Sequence, residues 1–398
     1  MNAARKEMKE VKYTPISRRA DVVVAGGGIA GISAALAAAR GKAKTLLIEK
    51  QCILGGLATA GLVCIYLPLC DGEGHQVSFG IAEELFHLSI RHGAQGRYPA
   101  AWLGRGTLEE RTKMRFEVQF NPVYLALLAE ELLLDHGVEL LYDTSICGTH
   151  ATDGRLEAVI IENKSGRSAI EAAAFVDATG DADLFKHIGA GTAEYSKKNH
   201  LAAWYYSFGT NGLKLNTLGF ADVLPDSDRA GKEPLSTRCF SGLNAGETSE
   251  MLCDSHRAIL SDILASRKQD VYYEPTAIST MPQLRMTRRL CGEYTLSDSE
   301  NGVHFSDSIG MIGDWRKRGK VYEIPFRTLY TRSVKNLTGA GRCISVDDGM
   351  WDITRVIPAC AVTGQAAGTA AALTDDVTTL DINRLQQCLH EQKQKLHI

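Results

Sequence analysis

The chain has 398 residues, of which 44% are apolar and 23% are charged, a composition typical of a globular protein with about two domains. The formal net charge of −3 gives no reason to expect a nucleic-acid partner, and no apolar run approaches the length of a membrane-spanning helix. The ten cysteines form no C-x-x-C pair and no Cys/His cluster with metal-ligand spacing, so we expect no metal site. Scattered thiols of this kind favour the reducing cytoplasm.

The first regular elements follow a polar, basic stretch at residues 1–20, which lacks the apolar centre of a secretory signal and predicts a loose arm. Apolar runs predict buried strands over Asp21–Ala25 and Thr45–Ile48. The alanine-rich residues between them predict a helix from Ile29 to about Arg40.

Three glycines between the first strand and this helix, Gly26, Gly28 and Gly31, form the pattern G-x-G-x-x-G. Gly26 permits the tight turn, Gly28 lets a pyrophosphate approach the main chain, and Gly31 lets the helix pack closely on the strand. Glu49 follows the second strand, where a carboxylate can accept hydrogen bonds from an adenosine ribose. The whole unit predicts dinucleotide binding, because a Gly-rich turn in an ordinary βαβ unit would not explain Glu49.

A second Gly-rich run, Leu54–Gly61, follows Glu49 and cannot be a stable helix interior. We expect a covered loop whose main chain approaches the rest of a large cofactor, and the alternative is a plain surface loop. Near these two Gly-rich segments, the further residues predicted to contact the cofactor are Ile29, Ala30, Lys50, Gly55, Gly56, Leu57, Ala58 and Thr59.

The next part of the chain predicts a helix at about Ile81–His92, a loop over Gly96–Arg111, and a helix from Pro122 to about His136. Asn121 has the side chain of an N-cap for the last of these helices. Val138–Tyr142 then predicts a strand.

Three extended runs near residues 144–149, 156–162 and 168–175 are separated by Asp-Gly and Ser-Gly turn signals and predict a β-meander. The last run ends in Asp177–Asp181, and a short helix to about Ile188 follows.

Residues 190–330 predict a substrate domain of α+β type that is inserted into the first domain. The expected strands are Trp204–Gly209, Val271–Thr280, Thr287–Leu296 and Tyr322–Pro325, and the expected long helix is Glu247–Arg267. No second strand, G-x-G-x-x-G and helix unit occurs in this segment, so a separate nicotinamide domain is not expected.

The chain then returns to the first domain with a strand at Leu337–Ala340, a loop at Cys343–Arg355 and a helix at about Ala359–Leu373. Asp381–Leu396 predicts an amphipathic terminal helix. The predicted divisions of the chain are therefore 1–20, 21–189, 190–330, 331–375 and 376–398.

Seven short motifs in this order resemble those of FAD-dependent oxidoreductases with the glutathione-reductase-type FAD fold, which are relatives of the fumarate reductase flavoproteins. They are Gly26–Gly31, Leu54–Thr59, Asp177–Asp181, Arg285–Arg289, Ile324–Arg327, Gly341–Ser345 and Gly364–Gly368. Two positions depart from the family pattern: Met286 stands where a Glu is usual, and Asp348 stands where many members have a His.

The resemblance implies an α/β fold, with a Rossmann-like FAD-binding domain and an inserted α+β substrate domain, and it implies FAD as the cofactor. It adds a further set of cofactor-binding residues: Ile146, Ala178, Thr179, Gly180, Asp181, Gly341, Arg342, Arg355, Pro358 and Ala359. The helix that begins near Pro358 should place its N-terminus by the isoalloxazine, where it would stabilise negative charge.

Four residues are candidates for catalysis: Arg285, Arg288, Asp348 and Arg355. Arginine forks suit a carboxylate or another oxyanion, and the alternative is a salt-bridged strand edge. Strand alternation would place Arg285 and Arg289 on one face and Arg288 on the other. Asp348 could take a hydroxyl proton from the substrate as hydride leaves, and the alternative is a capping carboxylate for the following helix.

These features predict an oxidoreductase that transfers a hydride between bound FAD and a small polar organic substrate, without a nucleic-acid or membrane partner. The alternatives are a flavin monooxygenase and a non-catalytic or electron-carrying flavoprotein subunit. The sequence leaves open whether the chain forms a homo-oligomer.

Overall fold

The computed structural model describes residues 10–221 and 234–398. The helices in these residues are α1 (Ile29–Arg40), α2 (Ile81–Ser89), α3 (Ala100–Leu103), α4 (Leu108–Lys113), α5 (Pro122–Asp135), α6 (Asp183–His187), α7 (Ala245–Arg267), α8 (Asp348–Thr354), α9 (Ile357–Leu373) and α10 (Ile382–Glu391). The strands are β1 (Ile16–Ala25), β2 (Thr45–Ile48), β3 (Ile65–Tyr66), β4 (Val118–Gln119), β5 (Glu139–Leu141), β6 (Ser145–Thr152), β7 (Arg155–Asn163), β8 (Gly166–Asp177), β9 (Thr192–Glu194), β10 (Ala203–Gly209), β11 (Gly212–Leu218), β12 (Glu274–Ile278), β13 (Arg288–Leu290), β14 (Ser308–Gly313), β15 (Val321–Pro325) and β16 (Leu337–Gly339).

The central seven-stranded sheet has the order β5-β2-β1-β8-β7-β6, and β16 also pairs with β8. Strands β5, β2, β1, β8 and β16 are parallel, whereas β6, β7 and β8 form the antiparallel meander that the sequence predicts. Ala25 pairs with Ile48 on one side and with Asp177 on the other. The segments that follow these three residues therefore meet at the carboxyl edge of the sheet, the usual place for a ligand in an α/β fold.

The apolar end of β1, Val22–Ala25, is buried on both faces, as its continuous apolar run predicts. Val22 and Val24 contribute to the main apolar cluster with α1, α2, α5 and α9, while Val23 and Ala25 contribute to a second cluster on the opposite face. The alternation follows from the two-residue period of a strand. Together with its helices on both sides, the sheet forms a Rossmann-like α/β fold.

Helices α1 and α9 lie against each other with almost no space between their main chains. A Cβ atom on Gly364 would lie 2.3 Å from the Ala30 carbonyl oxygen, and one on Gly368 would lie 2.0 Å from that of Ala34. Only glycine fits at these two positions, so the small residues four apart in α9 fix how the C-terminal part of the chain packs on the N-terminal part.

The described part of residues 190–330 is a mixed α and β segment. Its three-stranded sheet has the order β11-β10-β12, α7 packs against β10, and β14 and β15 form a hairpin. Every strand pair within this segment is antiparallel. The hairpin packs on α9, since a Cβ on Gly310 would lie 2.6 Å from Val362 Cγ1.

Several predicted boundaries are wrong. Strand β1 begins at Ile16 rather than Asp21, because the polar residues 16–20 extend beside β8, where they are largely exposed and show no buried pattern. The predicted arm is thus shorter, and residues 1–9 lie outside the described residues. The strand predicted over Thr287–Leu296 is regular only over β13, and that predicted over Val271–Thr280 only over β12.

Two predicted loops contain helices. The loop predicted over Gly96–Arg111 contains α3 and most of α4, which is too short for a hydrophobic period but has a capping box between Thr107 and Glu110. The loop predicted over Cys343–Arg355 contains α8, which Asp347 caps by accepting a hydrogen bond from the Met350 N–H. Among the described residues, no single helix is long and apolar enough to cross a membrane, and α8 and α9 meet that criterion only as a pair bent by 89°.

Candidate active site

Two glycines of the first loop are required by the packing of the chain itself. Gly26 has a φ of +99°, and a Cβ atom there would lie 2.6 Å from the Ala178 carbonyl oxygen. A Cβ on Gly31 would lie 1.8 Å from the Gly26 carbonyl oxygen. The roles predicted for these residues, a tight turn and close packing of helix on strand, match this geometry.

Gly28 is different, because the space beside it is open. Its φ of −69° and ψ of −178° suit any residue, and a Cβ there would have no heavy atom of the described residues within 4 Å. Gly28 is also the N-cap of α1, and it has no side chain to bond the N–H groups of the first turn. A bare helix N-terminus beside open space is the cradle that a pyrophosphate needs. The site therefore fits the phosphate end of a dinucleotide.

The carboxylate of Glu49 lies directly behind this loop. It is 6% exposed, its Oε2 accepts a hydrogen bond of 2.5 Å from the Gly27 N–H, and its Oε1 accepts one of 2.8 Å from the Gln51 N–H. These bonds fix the side chain, and they leave each oxygen a second lone pair for a ribose hydroxyl. Lys50, the next residue, is exposed at the same edge.

The second Gly-rich loop lies beside the first. The Gly55 N–H donates to the Gly27 carbonyl over 2.8 Å, and a Cβ on Gly56 would lie 3.2 Å from Gly28 Cα. Residues Gly56–Ala58 form a short 3-10 helix, and the Thr59 hydroxyl donates to the Leu54 carbonyl over 2.5 Å. The structure thus places Gly55 and Gly56 beside Gly27 and Gly28, and the other predicted residues of this loop, Leu57 to Thr59, follow in the short helical turn and its end.

The turn after β8 forms the opposite side of the glycine loop. The Ala178 N–H donates to the Ala25 carbonyl over 2.9 Å. Arg342 reaches across from the return segment, where its Nε donates to the Gly180 carbonyl over 2.8 Å and its Nη2 donates to Asp181 Oδ1 over 3.0 Å. Burial alone would raise the pKa of Asp181, but the Arg342 guanidinium and the Thr287 hydroxyl hold it below its ordinary value.

Asp177, at the end of β8, holds the short helix that follows. Its carboxylate accepts hydrogen bonds from the Thr179 hydroxyl over 2.7 Å and from the Leu184 N–H over 2.9 Å. Complete burial and the neighbouring Asp183 raise the pKa of Asp177 to about 6. The Asp-Ala-Thr-Gly motif therefore has a structural role, because the hydrogen bonds of Asp177 stabilise the turn and the helix that follows it.

Gly341 links the second turn of α9 to the start of α1. The Gly341 N–H donates to the Thr363 hydroxyl over 2.9 Å, and a Cβ on Gly341 would lie 2.8 Å from the Ala30 Cβ. Val356, the N-cap of α9, has an apolar side chain that cannot accept a hydrogen bond, and Pro358 and Ala359 lie in the first turn. Because Gly364 lies against Ala30 and Gly368 lies against Ala34, α1 and α9 run in the same direction, and the uncapped start of α9 extends about two turns beyond that of α1.

Ile146 lies in the meander rather than in either glycine loop. It is the second residue of β6, pairs with Ile161 and packs against the second apolar cluster. The residue before β6 lies beside Glu49, because the Thr144 N–H donates to the Glu49 carbonyl over 3.2 Å.

The arginines of the Arg285–Arg289 motif have protein partners. Arg288 Nε donates to the Asp181 carbonyl over 2.8 Å, and its Nη2 pairs with Asp183 Oδ1 over 2.6 Å, so this side chain braces the turn after β8. Arg285 precedes β13 and its guanidinium lies over Trp204, while that of Arg289 lies over Trp351. The two side chains predicted to share a face therefore contact different tryptophans.

Asp348 is the first residue of α8, and its Oδ2 accepts hydrogen bonds from the Ser196 hydroxyl and, over 3.3 Å, from the Ser196 N–H. The N-cap of α8 is Asp347, so the capping role that was the alternative for Asp348 belongs to its neighbour.

Arg355 belongs to a buried cluster of two arginines and two aspartates at the junction of α8 and α9. Arg355 Nε donates to Asp352 Oδ1 over 2.8 Å, and Arg316 lies 3.0 Å from Asp314 and 3.5 Å from Asp352. The Arg316 and Arg355 side chains are 11% and 7% exposed. The sequence analysis did not identify Asp314 and Arg316, because they lie more than 30 residues before α8 and no local pattern marks them.

A family model described as FAD dependent oxidoreductase matches residues 21–233 and 267–389, which is most of the chain. No curated protein matches the sequence. The matched ranges include both glycine loops, the turn after β8, the Arg285–Arg289 motif and helix α9.

Many solved structures match this chain. Thermovibrio ammonificans THI4 is 16% identical, with 44% of this chain and 64% of that chain covered and a TM-score of 0.32. The p-nitrophenol 4-monooxygenase PnpA from Pseudomonas putida DLL-E4 is 12% identical, with 94% and 84% covered and a TM-score of 0.49. The 3-ketosteroid-delta4-(5alpha)-dehydrogenase from Rhodococcus jostii RHA1 is 14% identical, with 90% and 100% covered and a TM-score of 0.41. This chain thus spans slightly less than two thirds of the length of the first of these proteins.

Proposed function

Because the chain belongs to the FAD dependent oxidoreductase family and takes FAD as its cofactor, we propose that it exchanges a hydride directly between the flavin and a small polar organic substrate. The class of reaction would be the dehydrogenation of a CH–OH, CH–CH or CH–N group, or its reverse. Bound FAD would supply the hydride acceptor or donor.

The chain's own residues would hold this cofactor from one end to the other. The first turn of α1 at Gly28 would bind the pyrophosphate, and the fixed carboxylate of Glu49 would bind the ribose. Gly341 and the first turn of α9 would lie by the flavin ring, where the N–H groups of an uncapped helix favour negative charge. The buried pair of Arg316 with Asp352 joins the segment after β14 to α8, which directly precedes α9.

The observation that carries the proposal is the antiparallel pairing of the inserted segment. A nicotinamide domain needs parallel strands joined by helices around a Gly-rich turn. Within the described part of residues 190–330, the strand pairs are all antiparallel, and the sequence there has no second G-x-G-x-x-G unit. The segment is thus free to bind the substrate itself.

Polar groups of the inserted segment and of α8 would bind the substrate. Asp348 and Ser196 form a hydrogen-bonded pair where the inserted segment meets the first turn of α8, and Trp351 contacts Tyr195 and Arg289 nearby. A carboxylate that already accepts a hydroxyl hydrogen bond can take a proton from a substrate hydroxyl. We propose Asp348 for this role, with Arg289 joining Arg285 as a candidate for binding an anionic group.

The deciding experiment is anaerobic mixing of the FAD-loaded protein with a panel of hydroxy acids, sugars, amines and dicarboxylates, followed by the flavin absorbance. Bleaching by one class of substrate would support direct hydride transfer. Steady NADPH oxidation with oxygen uptake and substrate hydroxylation would instead show a monooxygenase. A flavin that no small molecule reduces, in a protein that co-purifies with another chain, would show an electron-carrying subunit.

A further inference from the structure

Two histidines and one glutamate meet at a place that is not part of the site described above. The Nδ1 atom of His397 lies 3.0 Å from Glu323 Oε2, and the Nδ1 atom of His304 lies 3.5 Å from Glu323 Oε1. One ligand atom from each residue lies within 4.8 Å of the others. The two imidazole rings are 4.6 Å apart at an angle of 41°. Three potential metal ligands therefore converge on one point.

The three residues come from separate parts of the chain. His304 lies in the loop before β14, Glu323 lies in β15, and His397 lies in the segment after α10. Local spacing therefore could not reveal the cluster, which arises because β14 and β15 pair and the C-terminal segment packs beside them. The Ser308 hydroxyl donates to the Leu396 carbonyl over 2.5 Å and holds that segment in place.

The carboxylate at the centre is fixed, whereas the imidazoles face solvent. Glu323 is 1% exposed and accepts hydrogen bonds from the Phe305 N–H over 2.8 Å and from the Ile398 N–H over 3.3 Å. The side chains of His304 and His397 are 68% and 39% exposed. A metal ion could therefore enter from solvent without any opening of the core, and water could complete its coordination.

We propose that His304, Glu323 and His397 bind one divalent transition-metal ion of the zinc class, through two Nδ1 atoms and one carboxylate. In a tetrahedral site with metal–ligand bonds of about 2.1 Å, neighbouring ligand atoms are about 3.4 Å apart. The separations of 3.0 and 3.5 Å, each from one histidine nitrogen to a different oxygen of Glu323, bracket this value. Imidazole and carboxylate are ligands that suit Zn²⁺, Co²⁺ and Ni²⁺.

A hydrogen bond between His397 and Glu323 would explain only one of the two contacts that Glu323 makes with histidines. At 3.0 Å that pair is an ordinary hydrogen bond, but the His304 contact of 3.5 Å is too long for a good one. Two imidazoles directed at one buried carboxylate would repel each other if both were protonated. A divalent cation would instead bind all three groups at once.

The bound ion would fasten the C-terminal segment to the β14–β15 hairpin. That segment also contacts α9, because Gln392 Oε1 accepts hydrogen bonds from Gln365 Nε2 over 3.0 Å and from the Thr369 hydroxyl over 3.2 Å. The site therefore has a structural role, and it does not depend on the reaction that the flavin performs.

Cobalt is the appropriate probe, because its visible spectrum distinguishes nitrogen and oxygen ligands from thiolates and the chain has ten free cysteines. The full FAD-loaded protein is treated with a chelator to remove bound metal, and Co²⁺ is then added to measure binding. The cobalt bands themselves are recorded on FAD-free protein, in which flavin absorbance does not hide them. We expect one Co²⁺ per chain with a Kd below about 10 µM. No thiolate-to-cobalt charge-transfer band should appear.

Three variants test the assignment. His304→Gln and His397→Gln change exposed side chains and should each weaken cobalt binding by at least about 100-fold, since even partners outside the ligand set change metal affinity 10- to 100-fold. His390→Gln, in the exposed part of α10, is the matched control and should bind as the wild type does.

A thiolate band, or affinity that neither ligand variant changes, would overturn the proposed site. Thermal unfolding then tests its role. Added Zn²⁺ should raise the Tm of the wild type and of His390→Gln, but not that of His397→Gln. A tightly bound ion that leaves the wild-type Tm unchanged would overturn the fastening role.

Discussion

The replacement Gly28→Val is the sharpest test of the cofactor site. The φ and ψ values of Gly28 are accessible to valine, and no described heavy atom would lie within 4 Å of the new Cβ. The apoprotein should therefore fold, with a free energy of unfolding within about 1 kcal/mol of the wild type. The side chain would fill the space in front of the first turn of α1, where the pyrophosphate is expected.

The expected loss of FAD affinity follows from the hydrogen bonds that the side chain blocks. A hydrogen bond to a charged group contributes about 1.5–3 kcal/mol, and the helix N-terminus offers at least two such bonds to a phosphate. The variant should therefore bind FAD about 3–6 kcal/mol more weakly, which is roughly 10²- to 10⁴-fold.

The assay is the ratio of FAD to protein after purification, followed by a titration of the apoprotein with FAD. Gly148→Val is the matched control, because it lies in β6 with only ordinary contacts of 3.6 Å to Ile160 and should retain FAD. Gly31→Ala should instead unfold or misfold, because its Cβ would lie 1.8 Å from a carbonyl oxygen. A Gly28→Val protein with a normal FAD content would refute the assignment of the pyrophosphate to this helix.

Three further predictions concern side chains around the same site. Glu49→Ala should weaken FAD binding by about 1.5–3 kcal/mol in a fluorescence titration, and unchanged affinity would show that this carboxylate does not contact the ribose. Arg288→Ala should lower the free energy of unfolding by about 1–2 kcal/mol in urea, because the partly exposed Asp183 loses its partner, while Arg288→Lys should recover only part of the loss. Unchanged stability with a raised KM would instead support a substrate-binding role. Gly364→Val should give protein without FAD or without a folded core, because its Cβ would lie 2.3 Å from the main chain of α1, and a soluble, yellow variant would contradict that packing.

Local patterns predicted the secondary structure of the first βαβ unit well. The signals used there are local, since a turn glycine, an apolar strand and an acidic residue at the end of that strand lie within a few residues of one another. The positions of Gly26, Gly31 and Glu49 could therefore be interpreted without knowing which distant residues they contact. The antiparallel meander was predicted for the same reason, since each turn signal adjoins the strands that it connects.

The remaining parts depend on contacts between distant segments. The sequence identified Arg355 but gave no sign that Asp314 and Arg316 would join it, because the pair of Arg316 with Asp352 forms only when the segment after β14 packs beside α8. Helix α8 was predicted as a loop because its seven residues are too few to show a helical hydrophobic period. The helix is stabilised by its N-cap and by burial. The role of Asp348 stays a prediction, as its contact with Ser196 shows its position and not its chemistry.

The close contact of α1 with α9 has a consequence for how the protein is made. The two helices are separated by more than 300 residues, and strand β16, which completes the sheet beside β8, also belongs to the late part of the chain. Contacts of such long range slow folding, because a large loop must close before they form. On the ribosome, the first βαβ unit would therefore emerge long before its packing partner, with the apolar side of α1 uncovered. We expect FAD capture to be a late event, and cells that lack chaperones to accumulate this protein in aggregated form.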